Sequence, residues 1–515
     1  MRALKRLTLL FVVLSLAFAV SCSKNGNYAG EAVDDGGYAT KDEAAAYSEG
    51  TGGGYYVKDG VDSFIGVVGR DALIYEGKGD GYVDNSVGAG KITASARNDN
   101  DYYEDWQKLF VKGQTEEENG KFYDLVNKND WGFDSASRIS VSATCFGDPV
   151  AGAKVVYNDG NGNEYSCVTG ADGKAYIFTR NKKGKITVKS GDYSASQNVD
   201  GNDDYNFELN GKEEKANTIR LMFVVDVTGS MGDELQYLNQ ELKDVIKRVS
   251  EIGEIKIDLA LLFYRDHEDS EVFAYSDFLD VTDAQNLNLQ QSVLAKQRAS
   301  GGGDLPEAVD EALEMAVNKN WGDDTSTKLI FHVLDAPPHE GQEYSTRYYK
   351  AIKTATEKGI RISPVLCSGG DILCEYLVRQ AAVYTSGTFI YVTDHSGIGN
   401  AHYDPDIPDV TVEKLNDMLV RLIKGYYTGT FEEPVPWKVF YDIDIVEGKD
   451  MLEYMSALKA GYGDVVYALV KCDEQTEIKV TVDKEEVEIV RENEKYVRFK
   501  FVMPEKNVEV SIETI

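Results

Sequence analysis

The chain has 515 residues, 42% of them hydrophobic and 27% charged, a composition typical of folded domains that excludes wholesale disorder. At roughly 150 residues per domain, this length predicts three to four domains. The 54 Lys and Arg residues against 87 Asp and Glu residues give a formal net charge of −33, which disfavours nucleic acid as a partner because its phosphates would be repelled.

The N-terminus has the pattern of a lipoprotein signal peptide, predicted at residues 1–21. Basic side chains precede an apolar run at residues 7–19, which is shorter than the ~20 residues needed to span a bilayer. The run leads into Ala-Val-Ser-Cys, and this ending resembles a bacterial lipobox. The resemblance implies that Cys22 carries the lipid and becomes the mature N-terminus. An ordinary cleaved signal with an incidental cysteine is the alternative.

The predicted lipid sets the compartment in which the chain works. We expect the chain outside the cytoplasm, anchored to a membrane of the bacterial cell envelope, on its periplasmic or surface face. Nucleotides are scarce there, and the sequence has no G-x-x-x-x-G-K-[ST] or G-x-G-x-x-G motif, so no nucleotide partner is expected. Six cysteines are too few for a disulfide-built scaffold. Cys145 with Cys167, and Cys367 with Cys374, could form disulfides, but a buried thiol is the commoner state of a lone cysteine.

Two segments precede the first regular pattern. Residues 22–54 are rich in Gly, Ala and Asp without apolar periodicity, which predicts a flexible tether. Residues 55–137 form an uncharacterised segment containing Ala-Gly-Lys-Ile-Thr-Ala at 89–94, Asn-Asp-Asn-Asp at 98–101, and then Trp106. This pattern resembles a short block that precedes von Willebrand A domains in many bacterial surface proteins, and no chemistry follows from it.

Two regions alternate apolar and polar residues in the manner of half-buried strands. In residues 138–212, turn residues recur at the roughly 8–12-residue spacing of a β-sandwich. The phrase "GDPVAGAKVVY…GADGKAYI" in this region resembles Ig-like sandwiches of the carboxypeptidase-regulatory or collagen-adhesin-B type. Residues 435–515 end in "FKFVMPEKNVEVSI", which resembles the small β repeats of bacterial surface proteins. We therefore expect all-β modules on both sides of the central region.

Residues 218–428 change to continuous apolar runs that alternate with helix-period segments. Runs such as 221–225, 257–263 and 329–334 predict strands buried on both faces, which are typical of parallel sheets covered by helices. The predicted fold class is therefore multidomain, with a central doubly wound, Rossmann-like α/β domain flanked by all-β sandwich-type modules.

The first buried strand of this domain runs into "LMFVVDVTGSMGDEL" at residues 221–235. Asp226 ends the strand, Thr228 and Ser230 follow at alternating positions, and ligands of open α/β sheets collect beyond the carboxyl ends of strands. Carboxylate and hydroxyl oxygens suit hard divalent cations, Mg²⁺ first, with Mn²⁺ or Ca²⁺ as alternatives. The pattern resembles the metal-ion-dependent adhesion site of von Willebrand factor A domains. A turn and helix cap without a metal is the other interpretation.

Two further loops lie where this resemblance places the remaining ligands. Asp304, in "ASGGGDLPEAVDEAL", occupies the place that usually holds a metal-contacting Thr, and it either contacts the ion or caps the helix near Pro306. Asp335 ends the buried run "LIFHVLD" and matches the last acidic member of the site. The resemblance implies that Thr228 and Ser230 contact the metal ion directly and that Asp226 and Asp335 bind it directly or through water. One coordination position of the ion would stay open for a partner's carboxylate.

Other polar residues near these loops have weaker signals. Residues 266–269 are an acidic loop after a strand end, which we expect to be solvated, with a position near the metal site as the alternative. His332 lies within an apolar strand and is expected in the core, whereas His339 could support the metal site from beyond Asp335. The sequence has no nucleophile elbow and no H-E-x-x-H motif, so no enzyme is expected. A metal-assisted hydrolase is the alternative, with His339 or Asp266 as the candidate base.

The sequence thus predicts a divalent-cation-dependent, protein-binding lipoprotein that acts in adhesion or envelope assembly. The partner is expected to be a protein that binds through a carboxylate, while the membrane is contacted through the N-terminal lipid. Besides the hydrolase, a structural scaffold with a vestigial metal site remains an alternative.

Overall fold

A computed structural model describes most of the chain beyond its N-terminal part. The described residues are 89–128, 130–233, 235–303, 305–322, 325–398 and 401–515. The predicted signal peptide, Cys22, the tether and Asp304 lie outside them. Within these ranges no helix is long and apolar enough to cross a membrane.

The first described elements belong to the uncharacterised segment. They are strand β1 and two short helices, β1 Thr93–Arg97, α1 Tyr103–Lys108 and α2 Tyr123–Lys128. Helix α1 and the chain on either side of α2 bury four aromatic side chains in one core with helices of the central domain: Trp106, Phe122, Trp131 and Phe133.

Eight strands follow and form two four-stranded sheets. They are β2 Arg138–Cys145, β3 Asp148–Pro149, β4 Lys154–Asn158, β5 Glu164–Val168, β6 Lys174–Phe178, β7 Lys183–Ser190, β8 Tyr193–Asp200 and β9 Asp204–Leu209. One sheet has the order β3-β2-β6 with β9 parallel to β2, and the other has the order β5-β4-β7-β8. Every second residue of β2 is buried, as the alternating sequence predicts for a strand with one face in a core. The Ig-like resemblance itself stays a prediction.

Neither of the two possible disulfides is present among the described residues. All four cysteines of the two candidate pairs are buried thiols outside any disulfide, the state that the sequence interpretation considers commoner for a lone cysteine: Cys145, Cys167, Cys367 and Cys374. A disulfide requires Cα atoms within about 7 Å and suitably directed Cβ atoms, and nearness in sequence guarantees neither.

The central region is a doubly wound α/β domain, so the predicted fold class is confirmed. Its elements are β10 Thr218–Asp226, α3 Leu235–Ser250, β11 Lys256–Tyr264, β12 Phe273–Asp280, α4 Ala284–Ala295, α5 Val309–Val317, β13 Thr327–Leu334, α6 Gln342–Lys358, β14 Ile360–Leu366, α7 Ile372–Thr385, β15 Phe389–Val392, β16 Glu413–Lys414 and α8 Leu415–Thr428. The eight-stranded sheet has the order β12-β11-β10-β13-β14-β15-β1-β16, with β11, β10, β13, β14 and β15 parallel.

Helices cover both faces of this sheet, and the burial of successive strand residues shows how. Alternate residues of β10 join different cores: Phe223 packs with α3, α4 and α8, and Val224 packs with α5, α6 and α7. All eight residues of β13 are buried, which explains its continuous apolar run. Because β10, β11 and β13 are neighbouring parallel strands, the loops after Asp226, Tyr264 and Leu334 meet at one edge of the sheet.

Strand β1 changes the predicted extent of this domain. It is inserted between β15 and β16, antiparallel to both, and pairs Ala94 with Val392 and Glu413. The sequence boundaries treat residues 55–137 as a segment apart from 218–428, whereas the sheet joins β1 of the first segment to strands of the second. The difference arises because β1 has only five residues and pairs with strands about 300 positions away, so no local pattern reveals its partner.

The C-terminal region forms two further β sheets around a separate core. Its strands are β17 Phe440–Glu447, β18 Leu452–Met455, β19 Lys459–Gly461, β20 Val465–Lys471, β21 Ile478–Val482, β22 Glu485–Glu486, β23 Ile489–Asn493, β24 Tyr496–Val502 and β25 Val508–Thr514. The sheet orders are β19-β17-β25-β21-β22 and β18-β20-β24-β23. Met503, from the phrase "FVMP", is fully buried in that core.

Candidate metal centre at the strand ends

The loop after β10 arranges a carboxylate and two hydroxyls in series. Asp226 is fully buried, and its Oδ1 accepts hydrogen bonds from the backbone N–H of Thr228 at 2.8 Å and from Thr228 Oγ1 at 2.7 Å. Thr228 Oγ1 lies 3.1 Å from Oγ of Ser230, whose residue is exposed. The loop therefore presents oxygen atoms that lead from the buried strand end to the surface.

Asp335 follows the neighbouring strand and adds a second buried carboxylate. The residue is 2% exposed, and Val225 pairs with Val333 in the parallel ladder that brings the two strand ends together. Burial, together with the negative charge of Asp335, raises the pKa of Asp226 above its usual range. The structure thus brings Asp226, Thr228, Ser230 and Asp335 to one place, whereas Asp304 lies outside the described residues.

Glu307 is a third buried carboxylate at this edge, and the sequence interpretation missed it. Its backbone N–H donates to Pro337 O at 3.1 Å, and the N–H of the next residue, Ala308, donates to Arg265 O at 3.3 Å. These bonds hold Glu307 between the loops after β13 and β11. The residue is only 2% exposed. Its one sequence signal is a Glu placed directly before the apolar start of α5.

Gly302 shows how closely the glycine-rich loop approaches these groups. Its φ is +71°, and a Cβ added there would lie 2.8 Å from Glu307 Oε1 and 3.3 Å from Thr228 Cβ. Glycine is therefore favoured by the backbone conformation, and a larger residue would also crowd Glu307 and Thr228. The loop places Glu307 beside Thr228 and so brings it next to the predicted ligands.

Asp226, Asp335 and Glu307 are three buried carboxyl groups that lie close to one another. Burial and the negative charges of Asp226, Asp266, Asp335 and Asp269 raise the pKa of Glu307 to about 9. Asp226 Oδ2 and Glu307 Oε2 are buried and have no hydrogen-bond partner in the described part of the chain. A buried carboxylate oxygen without a partner is unfavourable, and a divalent cation would compensate it. The residues present therefore fit a hard divalent cation.

We expect the chain in EDTA to lose stability as the pH rises from about 5 to about 9. The folded-state pKa of Glu307, about 9, lies above its unfolded value of 4.5. Its contribution is therefore fully present below the unfolded pKa and is lost as the pH rises through the folded pKa. Melting temperatures measured across this range should fall by several degrees for the wild type and less for Glu307→Gln. Parallel curves for the two proteins would contradict this electrostatic account.

A second group lies on the same edge of the sheet. Asp266, His267 and His339 each place one ligand atom so that all three lie within 4.8 Å of one another. Among the described residues, this is the group of His, Cys, Asp and Glu side chains with the spacing of a metal site, and it is not the predicted Asp226 set. The acidic loop after β11 was expected to be solvated, yet Asp266 is only 5% exposed, because it pairs with His339.

The remaining polar residues at this edge have structural roles. Asp269 Oδ2 accepts hydrogen bonds from the N–H groups of Gly302, at 2.9 Å, and Asp266, at 3.1 Å, and so ties two loops together. His332 is 1% exposed, lies 3.1 Å from the Tyr264 hydroxyl, and has a pKa lowered to about 3 by burial. The prediction that His332 belongs to the core is confirmed.

Comparison with known proteins identifies the family of the central domain. The family model for the von Willebrand factor A domain matches residues 220–371. A protein of Acanthamoeba polyphaga mimivirus, described as ariadne-like RING finger protein R811, is 32% identical over 138 residues. That alignment covers 26% of this chain and 13% of the viral protein.

Comparison with solved structures gives matches of low identity and low TM-score. BatB from Bacteroides thetaiotaomicron is 13% identical with a TM-score of 0.29, covering 40% of this chain and 98% of that one. The pilus adhesin SpaC from Lactobacillus rhamnosus GG, in its open conformation, is 10% identical with a TM-score of 0.31, covering 66% of this chain and 41% of that one. Proximal thread matrix protein 1 from the mussel byssus is 16% identical with a TM-score of 0.26, covering 33% and 40%. The match to the family model, and not these structures, shows that residues 220–371 are a von Willebrand factor A domain, and β-rich regions flank it.

Proposed function

We propose that the chain binds another protein in a divalent-cation-dependent manner and does so without catalysing a reaction. The cation would lie at the strand ends, held by Asp226, Thr228, Ser230 and Asp335. The observation that carries this proposal is the buried Asp226 carboxylate. Its Oδ2 has no hydrogen-bond partner among the described residues, while its Oδ1 accepts from Thr228, whose hydroxyl lies beside that of Ser230. We further propose that the chain is a lipoprotein of the bacterial cell envelope, anchored through Cys22.

The loop after β10 supports a site that opens to the outside. Asp226 and Thr228 are fully buried, whereas Ser230 is exposed, so the oxygen atoms lead from the core to the surface. A bound divalent cation would supply a Lewis-acidic position that a carboxylate from outside can occupy. The residues of the chain orient the oxygens and exclude water from the inner side.

Charge also favours recognition of a partner through a cation. The chain carries a formal net charge of −33, so it repels an acidic protein at long range. Binding of a partner's carboxylate would therefore depend on a cation that neutralises the acidic side chains at the strand ends. Glu307 adds a third carboxylate beside Asp226 and Asp335, and in its ionised form it would weaken the attraction for an incoming carboxylate. We expect the Glu307→Gln variant to bind carboxylate ligands at least as tightly as the wild type.

Water-proton relaxation with Mn²⁺ tests whether the site has an open position. In the full chain, bound Mn²⁺ should relax water strongly, because exchanging water occupies that position, and an aspartate-containing peptide should lower the enhancement by displacing it. Asp226→Asn should show neither effect, and Asp148→Asn, which changes an exposed carboxylate on the sandwich, should behave as wild type. Enhancement that the peptide leaves unchanged would mean that the site is closed to carboxylates.

A further inference from the structure

The loops after β11 and β13 bring two imidazoles together beside the carboxylates. The ring centroids of His267 and His339 lie 5.1 Å apart. Both rings also lie next to the ring of Tyr344, with centroid distances of 5.6 Å from His267 and 5.3 Å from His339. Their side chains are 23% and 22% exposed, so both can be reached from solvent. Neither histidine belongs to the set of oxygen ligands proposed above.

Asp266 joins these rings into a three-member group. Its Oδ1 lies 2.6 Å from His339 Nε2, and one ligand atom from each of Asp266, His267 and His339 lies within 4.8 Å of the other two. Ligands of a tetrahedral ion are about 3.3 Å apart when the metal–nitrogen bonds are roughly 2.0–2.1 Å long. Small side-chain rotations therefore suffice to close the group around an ion.

A second observation comes from the carboxylates that face His267. Asp310 is fully buried in the first turn of α5, and its Oδ1 lies 3.9 Å from His267 Nε2. Neither atom has a hydrogen-bond partner in the part of the chain that the structure describes. Glu311 Oε2 lies 3.6 Å from Nδ1 of the same ring. A simple ion pair between His339 and Asp266 requires neither His267 nor these carboxylates.

The buried Asp310 is held in a fixed position. Arg347 donates to Asp310 Oδ2 at 2.8 Å, which leaves Oδ1 directed at His267. Histidines that bind metals usually donate their second ring N–H to a carboxylate, which fixes the orientation of the ring. Asp310 is therefore suited to position His267 as a ligand.

We propose that Asp266, His267 and His339 form a second metal site, selective for a borderline transition-metal ion such as Zn²⁺. Imidazole nitrogens suit Zn²⁺, whereas the strand-end pocket offers only oxygens and suits Mg²⁺ or Ca²⁺. Three protein ligands leave a fourth position for Glu311 or water. A bound ion would connect the loop after β11 to the loop after β13, which together flank the strand-end pocket.

Titration of the full chain with Co²⁺ and Zn²⁺ tests this site. Co²⁺ should give a visible absorption band typical of nitrogen and oxygen ligands, and one equivalent of Zn²⁺ should abolish it. His267→Ala and His339→Ala should each lose the band, and Asp310→Asn should weaken binding roughly 10–100-fold. His339→Gln, which can retain a hydrogen bond to Asp266, gives a second test if His339→Ala folds poorly.

Two control variants separate this site from other binding. His402→Ala removes a comparable histidine–carboxylate pair, with Nδ1 2.7 Å from Asp394 Oδ1, and it should retain the band. Asp226→Asn should also retain it, so failure of the strand-end site would not imply failure of this one. A band of thiolate type, equal Zn²⁺ affinity in wild type and His339→Gln, or no Co²⁺ binding at all would each overturn the proposal.

Discussion

Asp226→Asn should abolish the stabilisation of the full chain by Mg²⁺, Mn²⁺ or Ca²⁺ and should raise its melting temperature in EDTA. The first effect follows because the variant lacks the buried carboxylate that would bind the cation together with the Thr228 and Ser230 hydroxyls beside it. The second follows because burial and the negative charge of Asp335 oppose ionisation of Asp226 in the metal-free chain, so the uncharged Asn removes an unfavourable buried charge. At a free ion concentration ~100 times its dissociation constant, the wild type should gain roughly 2.7 kcal/mol.

Thermal melts in EDTA and in each ion measure both effects on the same protein. Asp148→Asn is the matched control because it changes the same functional group at an exposed position, and it should respond to metal as the wild type does. A metal response that survives in Asp226→Asn would place the cation elsewhere. The absence of a response to any ion in the wild type would leave the domain as a scaffold.

Much of the fold follows from local sequence patterns. Strand β2 buries every second residue and β13 buries every residue, and these two patterns separate the sandwich from the parallel sheet without any knowledge of tertiary contacts. Helix α3 likewise buries Leu238, Leu242, Val245 and Val249 at helical spacing. Periodicity succeeds wherever an element buries one face or both faces along its whole length.

Contacts between segments that are far apart in the chain could not be predicted from local sequence patterns. Strand β1 has small and polar residues, Thr-Ala-Ser-Ala-Arg, and is a strand only because β15 and β16 provide its hydrogen-bond partners. Glu307 is a buried carboxylate because the loops of three other segments close around it. The predicted order of the strands places Asp226 and Asp335 at the same edge of the sheet. The position of Glu307 depends instead on how the chain before α5 packs against other loops, which the spacing of residues does not predict.

The short block before the central domain acquires a structural role from these contacts. Asp99 accepts from Arg379 Nη2 at 2.6 Å and from Arg379 Nε at 2.9 Å, while Arg379 Nη1 donates to Glu375 at 2.8 Å. Lys121 lies 2.7 Å from Glu375 Oε2. Asp99, Glu375 and Arg379 are at most 5% exposed, so two acidic and two basic groups neutralise each other where residues 89–137 meet α7.

Asp99→Ala should therefore destabilise the central domain by about 3–5 kcal/mol. The variant removes one of the two carboxylates that neutralise the buried Arg379, and the remaining one, Glu375, is shared with Lys121. The fluorescence of Trp106, Trp131 and Trp321, which share one core with α7, should report a melting temperature lower by on the order of 10 °C. Asp134→Ala removes an exposed ion pair with Arg180 in the same segment and should cost about 1 kcal/mol or less. Equal effects of the two substitutions would show that the buried group does not hold the block to the domain. A much larger effect of Asp99→Ala would make the block a structural part of the A domain, since its strand completes the sheet and its aspartate neutralises a buried arginine.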